Sequence, residues 1–176
     1  MKVETEKLQE AIIAKKVKKA ELHLLEPLAR VYENRHVGNE APCGPAGKGP
    51  THWIGSQGSR NYITWRTLKS HQNSNCTLRI AENHETNDFR LIRPLDSSDN
   101  FDGAFPCGRK VGFHGKEIKL PNDLICESCV LQLTQEISDP KEKMVIHQCA
   151  DIVILEKKTD EYISDCVNKC KNGGIC

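Results

Sequence analysis

Val130-Leu131-Gln132-Leu133 and, further on, Ile152-Val153-Ile154 are the stretches whose reading decides the fold. The alternation in the first and the β-branched run in the second suit strands of a sheet with a buried face. Working outward, short β-patterned runs separated by turn residues occur at 62–65, 76–80, 89–92, 117–120, 129–133, 144–148 and 152–155. Seven such runs, with no window of sustained helical periodicity among them, predict an all-β sandwich. Upstream, residues 39–58 read as a loop punctuated by Pro42, Gly44, Pro45, Gly47, Gly49, Pro50, Gly55 and Gly58. Residues 4–22 have helix-forming composition, with Leu8, Ile12 and Ile13 at helical spacing, so a short N-terminal helix with a basic end is expected there.

Nine cysteines in 176 residues point to an oxidising compartment, because cytosolic thiols are kept reduced. Cys43, Cys76, Cys107, Cys126, Cys129 and Cys149 lie in or beside the predicted strands and loops, which permits three disulfides of undetermined connectivity. A structural zinc site needs a second knuckle, and Cys126 to Cys129 is the single one present. Asn75-Cys76-Thr77 is an N-glycosylation sequon, which agrees with secretion and marks Asn75. An extracellular or cell-surface location is therefore expected, although no signal-peptide apolar region is visible in residues 1–22. No run approaches the roughly 20 apolar residues of a membrane helix. Lys plus Arg number 25 against 24 Asp plus Glu, so no strongly basic surface is available for nucleic acid.

After Leu155 the polar residues 156–164 read as a linker. The closing segment Asp165-Cys166-Val167-Asn168-Lys169-Cys170-Lys171-Asn172-Gly173-Gly174-Ile175-Cys176 resembles the opening of an EGF-like module. Such modules use six cysteines, so the resemblance implies a partial module at 165–176. Pairing in that family would join Cys166 to Cys176 and leave Cys170 without a partner here.

A second resemblance covers residues 23–155. Its blocks are Leu22-His23-Leu24-Leu25-Glu26-Pro27 with Ala41-Pro42-Cys43-Gly44, then Ile63-Thr64-Trp65-Arg66 followed by His71 and Thr77-Leu78-Arg79-Ile80. Cys126-Glu127-Ser128-Cys129-Val130-Leu131-Gln132-Leu133 and His147-Gln148-Cys149-Ala150-Asp151-Ile152 complete the series. Together they resemble the lytic polysaccharide monooxygenase-like proteins, including copper-binding relatives without catalysis. The resemblance implies an immunoglobulin- or fibronectin-like sandwich and one copper ion held by an N-terminal histidine and a second histidine. The matching positions are His23 and His71, and three nitrogens in a plane suit Cu(II). Copper-acquisition relatives add a carboxylate, for which Asp151 is the matching choice. Two departures stand out. His23 is internal, so its nitrogen is an amide unless the Leu22–His23 bond is cut, and the usually aromatic axial slot falls at Ile146.

The remaining histidines at 36, 52, 84, 114 and 147 show no HxH or HExxH spacing that would force convergence. No GxSxG, phosphate-loop or dinucleotide fingerprint occurs. Trp65 lies in a β pattern and is expected in the core, whereas Trp53, in the Gly/Pro loop, is the expected sugar-stacking ring. The sequence thus points to an extracellular copper-binding domain with oxidative cleavage of polysaccharide as its chemistry. The alternative is a non-catalytic extracellular interaction, adhesion or copper-handling module, with a glycan or a cell-surface protein as partner.

Overall fold

Two long antiparallel strands, β10 (Cys126–Asp139) and β11 (Glu142–Leu155), joined by a two-residue turn, form the spine of the computed structural model. The structure describes residues 18–19, 21–30, 36–37, 41–44, 47–51, 53–83, 88–96 and 102–157. On either side of the spine, β6 (Ser74–Ala81) pairs antiparallel with β10, and β4 (Trp53–Ser56) pairs parallel with β11. β7 (Arg90–Ile92) and β8 (Phe105–Pro106) both pair with β6 and complete a six-stranded sheet. A three-stranded sheet of β2 (Leu22–Glu26), β5 (Arg60–Thr67) and β9 (Gly112–Lys119) lies against it. A short ladder joins β1 (Lys18–Lys19) to β3 (His36–Val37).

The period-2 pattern explains the layering. Leu22, Leu24, Ile63, Trp65 and Ile118 of the small sheet meet Leu78, Ile80, Leu131, Leu133, Ile152 and Ile154 of the large one in a single buried cluster. Each fully buried aliphatic side chain of this kind contributes about 1.5–3 kcal/mol relative to exposure. β10 is buried on both faces, because the Gly/Pro segment is strapped over its outer side. Cys43 bonds to Cys149, Gln132 donates to the Pro42 carbonyl at 2.6 Å, and Val130 packs beside the disulfide. Cys76 bonds to Cys107 and Cys126 to Cys129, so all six cysteines of the sandwich are paired.

The all-β, disulfide-stapled expectation therefore holds, with three corrections. The runs at 144–148 and 152–155 are one strand, because the buried Cys149, Ala150 and Asp151 between them keep the ladder with β10. Residues 22–26 and 53–56 are strands that the sequence reading did not pick out. Where the helix expected over 4–22 enters the described residues, Lys18–Lys19 is extended and paired, as is Leu22. Residues 4–17 and the EGF-like segment with Cys166, Cys170 and Cys176 lie outside the described residues.

Candidate functional site

At one end of the sandwich, β2 begins, β5 ends and the β10–β11 turn folds over, and these three junctions bring five ionisable side chains together. His71 is 3% exposed and lies between two carboxylates. Its Nδ1 is 2.9 Å from Asp139 Oδ2, and its Nε2 is hydrogen-bonded to Glu21. Asp139 is itself fixed by the Asn73 N–H at 2.9 Å, and this bond, aided by His71, holds its carboxyl below the usual carboxylate range. Lys69 bridges Glu21 and Glu142 at 2.9 and 3.2 Å, and those two contacts raise its ammonium above the ordinary lysine value. The segment is held in place by Leu68 and Lys69 N–H groups donating to the Glu21 carbonyl and by His71 N–H donating to Gly108.

The outer face of the small sheet presents a different surface. Register pairs Arg66 with Phe113, Thr64 with Gly115 and Tyr62 with Glu117. Tyr62 reaches across from β5 and covers Gly115: a Cβ there would stand 2.4 Å from the ring. The ring nevertheless remains 59% exposed, and Phe113 on the same face is 73% exposed with the Arg66 guanidinium 5.3 Å from its centroid. Tyr62 also lines a pocket of about 460 Å³ with Arg60, Leu95, Asp96 and Glu117. This combination of open rings with carboxylate and guanidinium groups offers both stacking faces and hydroxyl-directed hydrogen bonds.

Sequence comparison finds no matching protein family and no matching curated protein. Among solved structures, the chain superposes on a lytic polysaccharide monooxygenase of the AA15 type from Thermobia domestica, solved in the Cu(I) state. The TM-score is 0.51 at 21% identity, over 64% of this chain and 67% of that one. The sandwich has a lytic polysaccharide monooxygenase-like fold. A chitin-binding domain from Burkholderia pseudomallei aligns over 57% of this chain and 55% of its own, at a TM-score of 0.37 and 17% identity. At that score the second likeness establishes nothing about the chain.

Within the lytic polysaccharide monooxygenase-like sandwich, Asp151 falls away from His23, and His71 is hydrogen-bonded to Glu21, two residues from His23. Leu22 and Leu24 face the core, so the intervening His23 points to the outer side of the small sheet, level with Arg66. Asp151 lies on the outer side of the large sheet, where Arg30 grips it through two bonds of 2.8 and 2.7 Å and the Gly49 N–H donates at 2.7 Å. Burial pushes the Asp151 carboxyl up, but the Arg30 and Gly49 hydrogen bonds outweigh it and hold the carboxyl below its ordinary value. His23 and Asp151 are thus on opposite sides of a two-sheet core, and sheets stack about 10 Å apart. His71 stands with Glu21 and Glu142, the single group of three His, Cys, Asp or Glu donors found within 4.8 Å among the described residues.

The three-nitrogen copper brace implied by the family resemblance needs a terminal amine at His23. That nitrogen is in a peptide bond to Leu22, which is fully buried and whose carbonyl accepts a hydrogen bond from Gln148. The residues present do not fit the brace while this bond is intact. Trp53 is half-buried at the margin of the core and stands over Gly55, whereas among the described residues the open rings are Tyr62 and Phe113. Ile146 is buried with Ile137 and Met144. His147 contacts Thr134 at 3.1 Å, and burial followed by the nearby Arg79 charge keeps its imidazole below the ordinary histidine value. Asn75 is exposed and accepts from Arg109 at 2.8 Å, which leaves the sequon at the surface.

Glu21, Glu142, Asp139, Tyr62 and Phe113 were not singled out from sequence. For Phe113 no signal was read, because the run expected at 117–120 begins after it and the strand reaches back to Gly112. For the acids no local signal existed, since 24 Asp and Glu residues are spread along the chain.

Proposed function

We propose that this chain is an extracellular carbohydrate-binding β-sandwich that docks a glycan on the outer face of the β2–β5–β9 sheet. The observation that carries the reading is the exposed Tyr62 ring laid over Gly115, on the same face as the exposed Phe113. An L-residue with a side chain at 115 would lift the ring, so the glycine keeps it low against the sheet. The Tyr62 ring covers Gly115, two residues along β9 from Phe113, and the two open rings form a shallow platform on which the C–H faces of sugars stack. Arg60, Asp96 and Glu117 stand at its edge to accept and donate hydrogen bonds to hydroxyls. The three disulfides fit an oxidising location. No helix among the described residues is long and apolar enough to cross a membrane.

Pull-down on insoluble chitin and cellulose, together with a soluble glycan panel, tests the reading. Phe113→Ala and Tyr62→Ala reduce retention at least tenfold with an unchanged melting temperature. Retention of the double variant at wild-type level, or no glycan bound by the native protein, refutes it.

Copper chemistry is the second reading, favoured by the fold likeness to a protein solved in its Cu(I) state together with His71 near the start of β2. It requires release of His23 as a terminal residue, with His23 and His71 as the ligands. N-terminal sequencing of the protein from its natural source, followed by Cu(II) titration and analysis for oxidised sugars, decides it. A natural protein that retains Leu22 excludes the brace.

A further inference from the structure

We propose that Glu21, His71 and Glu142 form a binding site for a divalent cation of the zinc class, oriented by Asp139 and guarded by the displaceable ammonium of Lys69. The proposal is independent of the glycan reading and shares only His71 with the copper brace.

The arrangement around His71 carries it. Asp139 accepts from Nδ1, and the Asn73 N–H pins Asp139 in turn. A carboxylate on one ring nitrogen fixes the tautomer that leaves the other as an electron-pair donor, the usual support for a metal-ligating histidine. Nε2 then faces the Glu21 carboxylate, so the ring nitrogen and the carboxylate converge on one point. The Lys69 ammonium beside Glu21 and the proton shared in the Nε2–Glu21 hydrogen bond supply the positive charge here, and a metal ion would replace both. The burial of His71, at 3% exposure, favours a fixed charge partner over bulk water.

Glu142 supplies the third donor, and the three donor atoms lie within 4.8 Å of one another. Zinc bonds of about 2.0–2.2 Å set tetrahedral donors about 3.4 Å apart, so rotation of the two glutamate side chains must draw Glu142 in and move Glu21 back from Nε2. The lysine ammonium already occupies the electrostatic place of the ion, since Lys69 touches both carboxylates at 2.9 and 3.2 Å. Its side chain is 55% exposed, so it is free to swing outward. One imidazole and two carboxylates, with room for a fourth ligand from water, match zinc better than calcium, which takes six to eight oxygens.

The test is calorimetric titration of the full chain with zinc chloride, in parallel with calcium chloride, alongside imidazole NMR. One zinc per chain is expected, with a shift of the His71 ring resonances and a raised melting temperature; calcium leaves all three unchanged. Glu142→Gln weakens zinc at least tenfold, and Asp139→Asn weakens it by about 10-fold through the orienting bond. Lys69→Met tightens it, because the competing ammonium is gone, an effect that a purely structural ion network does not predict. The Glu142 and Lys69 side chains are partly exposed, so both variants keep the fold. Equal zinc affinity in the native protein, Glu142→Gln and Lys69→Met, or binding that leaves the His71 resonances in place, overturns the proposal.

Discussion

Gln148 grips the Leu22 carbonyl from across the core. Its side-chain amide donates to that oxygen and accepts from the Leu24 N–H at 2.9 Å, so a single residue of the large sheet holds both sides of His23. The two groups it satisfies are buried, and the Leu22–His23 peptide bond is inaccessible in the folded protein. Gln148→Leu leaves a buried carbonyl and a buried N–H without partners and costs about 2–4 kcal/mol. Urea unfolding reads the loss. Limited proteolysis with N-terminal sequencing reads its second consequence, faster cleavage within residues 21–25.

Arg30 and Asp151 form a two-bond ion pair whose side chains are 7% and 1% exposed. Breaking such a buried pair on one side costs about 3–5 kcal/mol, because the remaining charge stays desolvated. Asp151→Ala is therefore expected to destabilise strongly, and the double variant with Arg30→Met to recover part of the loss.

The same pair sets an acid limit. The folded Asp151 carboxyl titrates below its unfolded value of about 3.9, so its contribution is complete above that pH and is lost as pH falls through the folded value. Asp139 acts in the same direction. Melting temperatures of the native protein decline below about pH 4, and Asp151→Asn flattens that decline. An unchanged acid limb in the variant contradicts the assignment.

The disulfides differ in the chain they close. Cys43–Cys149 spans 106 residues, Cys76–Cys107 spans 31 and Cys126–Cys129 spans 3. Loop-closure entropy alone gives about 4.8, 3.7 and 1.6 kcal/mol in that order. Paired Cys→Ala substitutions, followed by denaturant titration, should show that ranking. Loss of Cys43–Cys149 should be the largest, since it also frees the strap over Val130 and Gln132.

Gly115→Ala separates the platform from the fold. The new methyl collides with the end of the Tyr62 ring and must displace it. Stability is expected to change by no more than about 1 kcal/mol, while glycan retention drops as in Tyr62→Ala. Full retention with a displaced ring argues against stacking at this position.

Local pattern made much of the fold legible. Alternation in 130–133 and the β-branched 152–154 gave the central strands, and the cysteine positions gave three disulfides within the sandwich. β2 escaped notice because Leu24-Leu25 interrupts its alternation at the irregularity between Leu24 and Glu26. β4 escaped because Gly55 and the neighbouring turn residues read as loop, and only its parallel pairing with β11 makes it a strand. Of the residues in the candidate cluster, His71 was singled out from sequence and its neighbours were not.

The sequence by itself determined that the central segments are extended, which of their side chains are apolar, and that an oxidising environment suits them. These follow from period-2 patterning and residue chemistry, which act over a few neighbours. Tertiary structure alone decided that His71 meets Asp139 across 68 positions, that Gln148 meets Leu22 across 126, and that His23 and Asp151 face opposite sides. The physical reason is register. A shift of one residue in any ladder turns every side chain to the other face, and register is fixed by pairing between strands far apart in the chain.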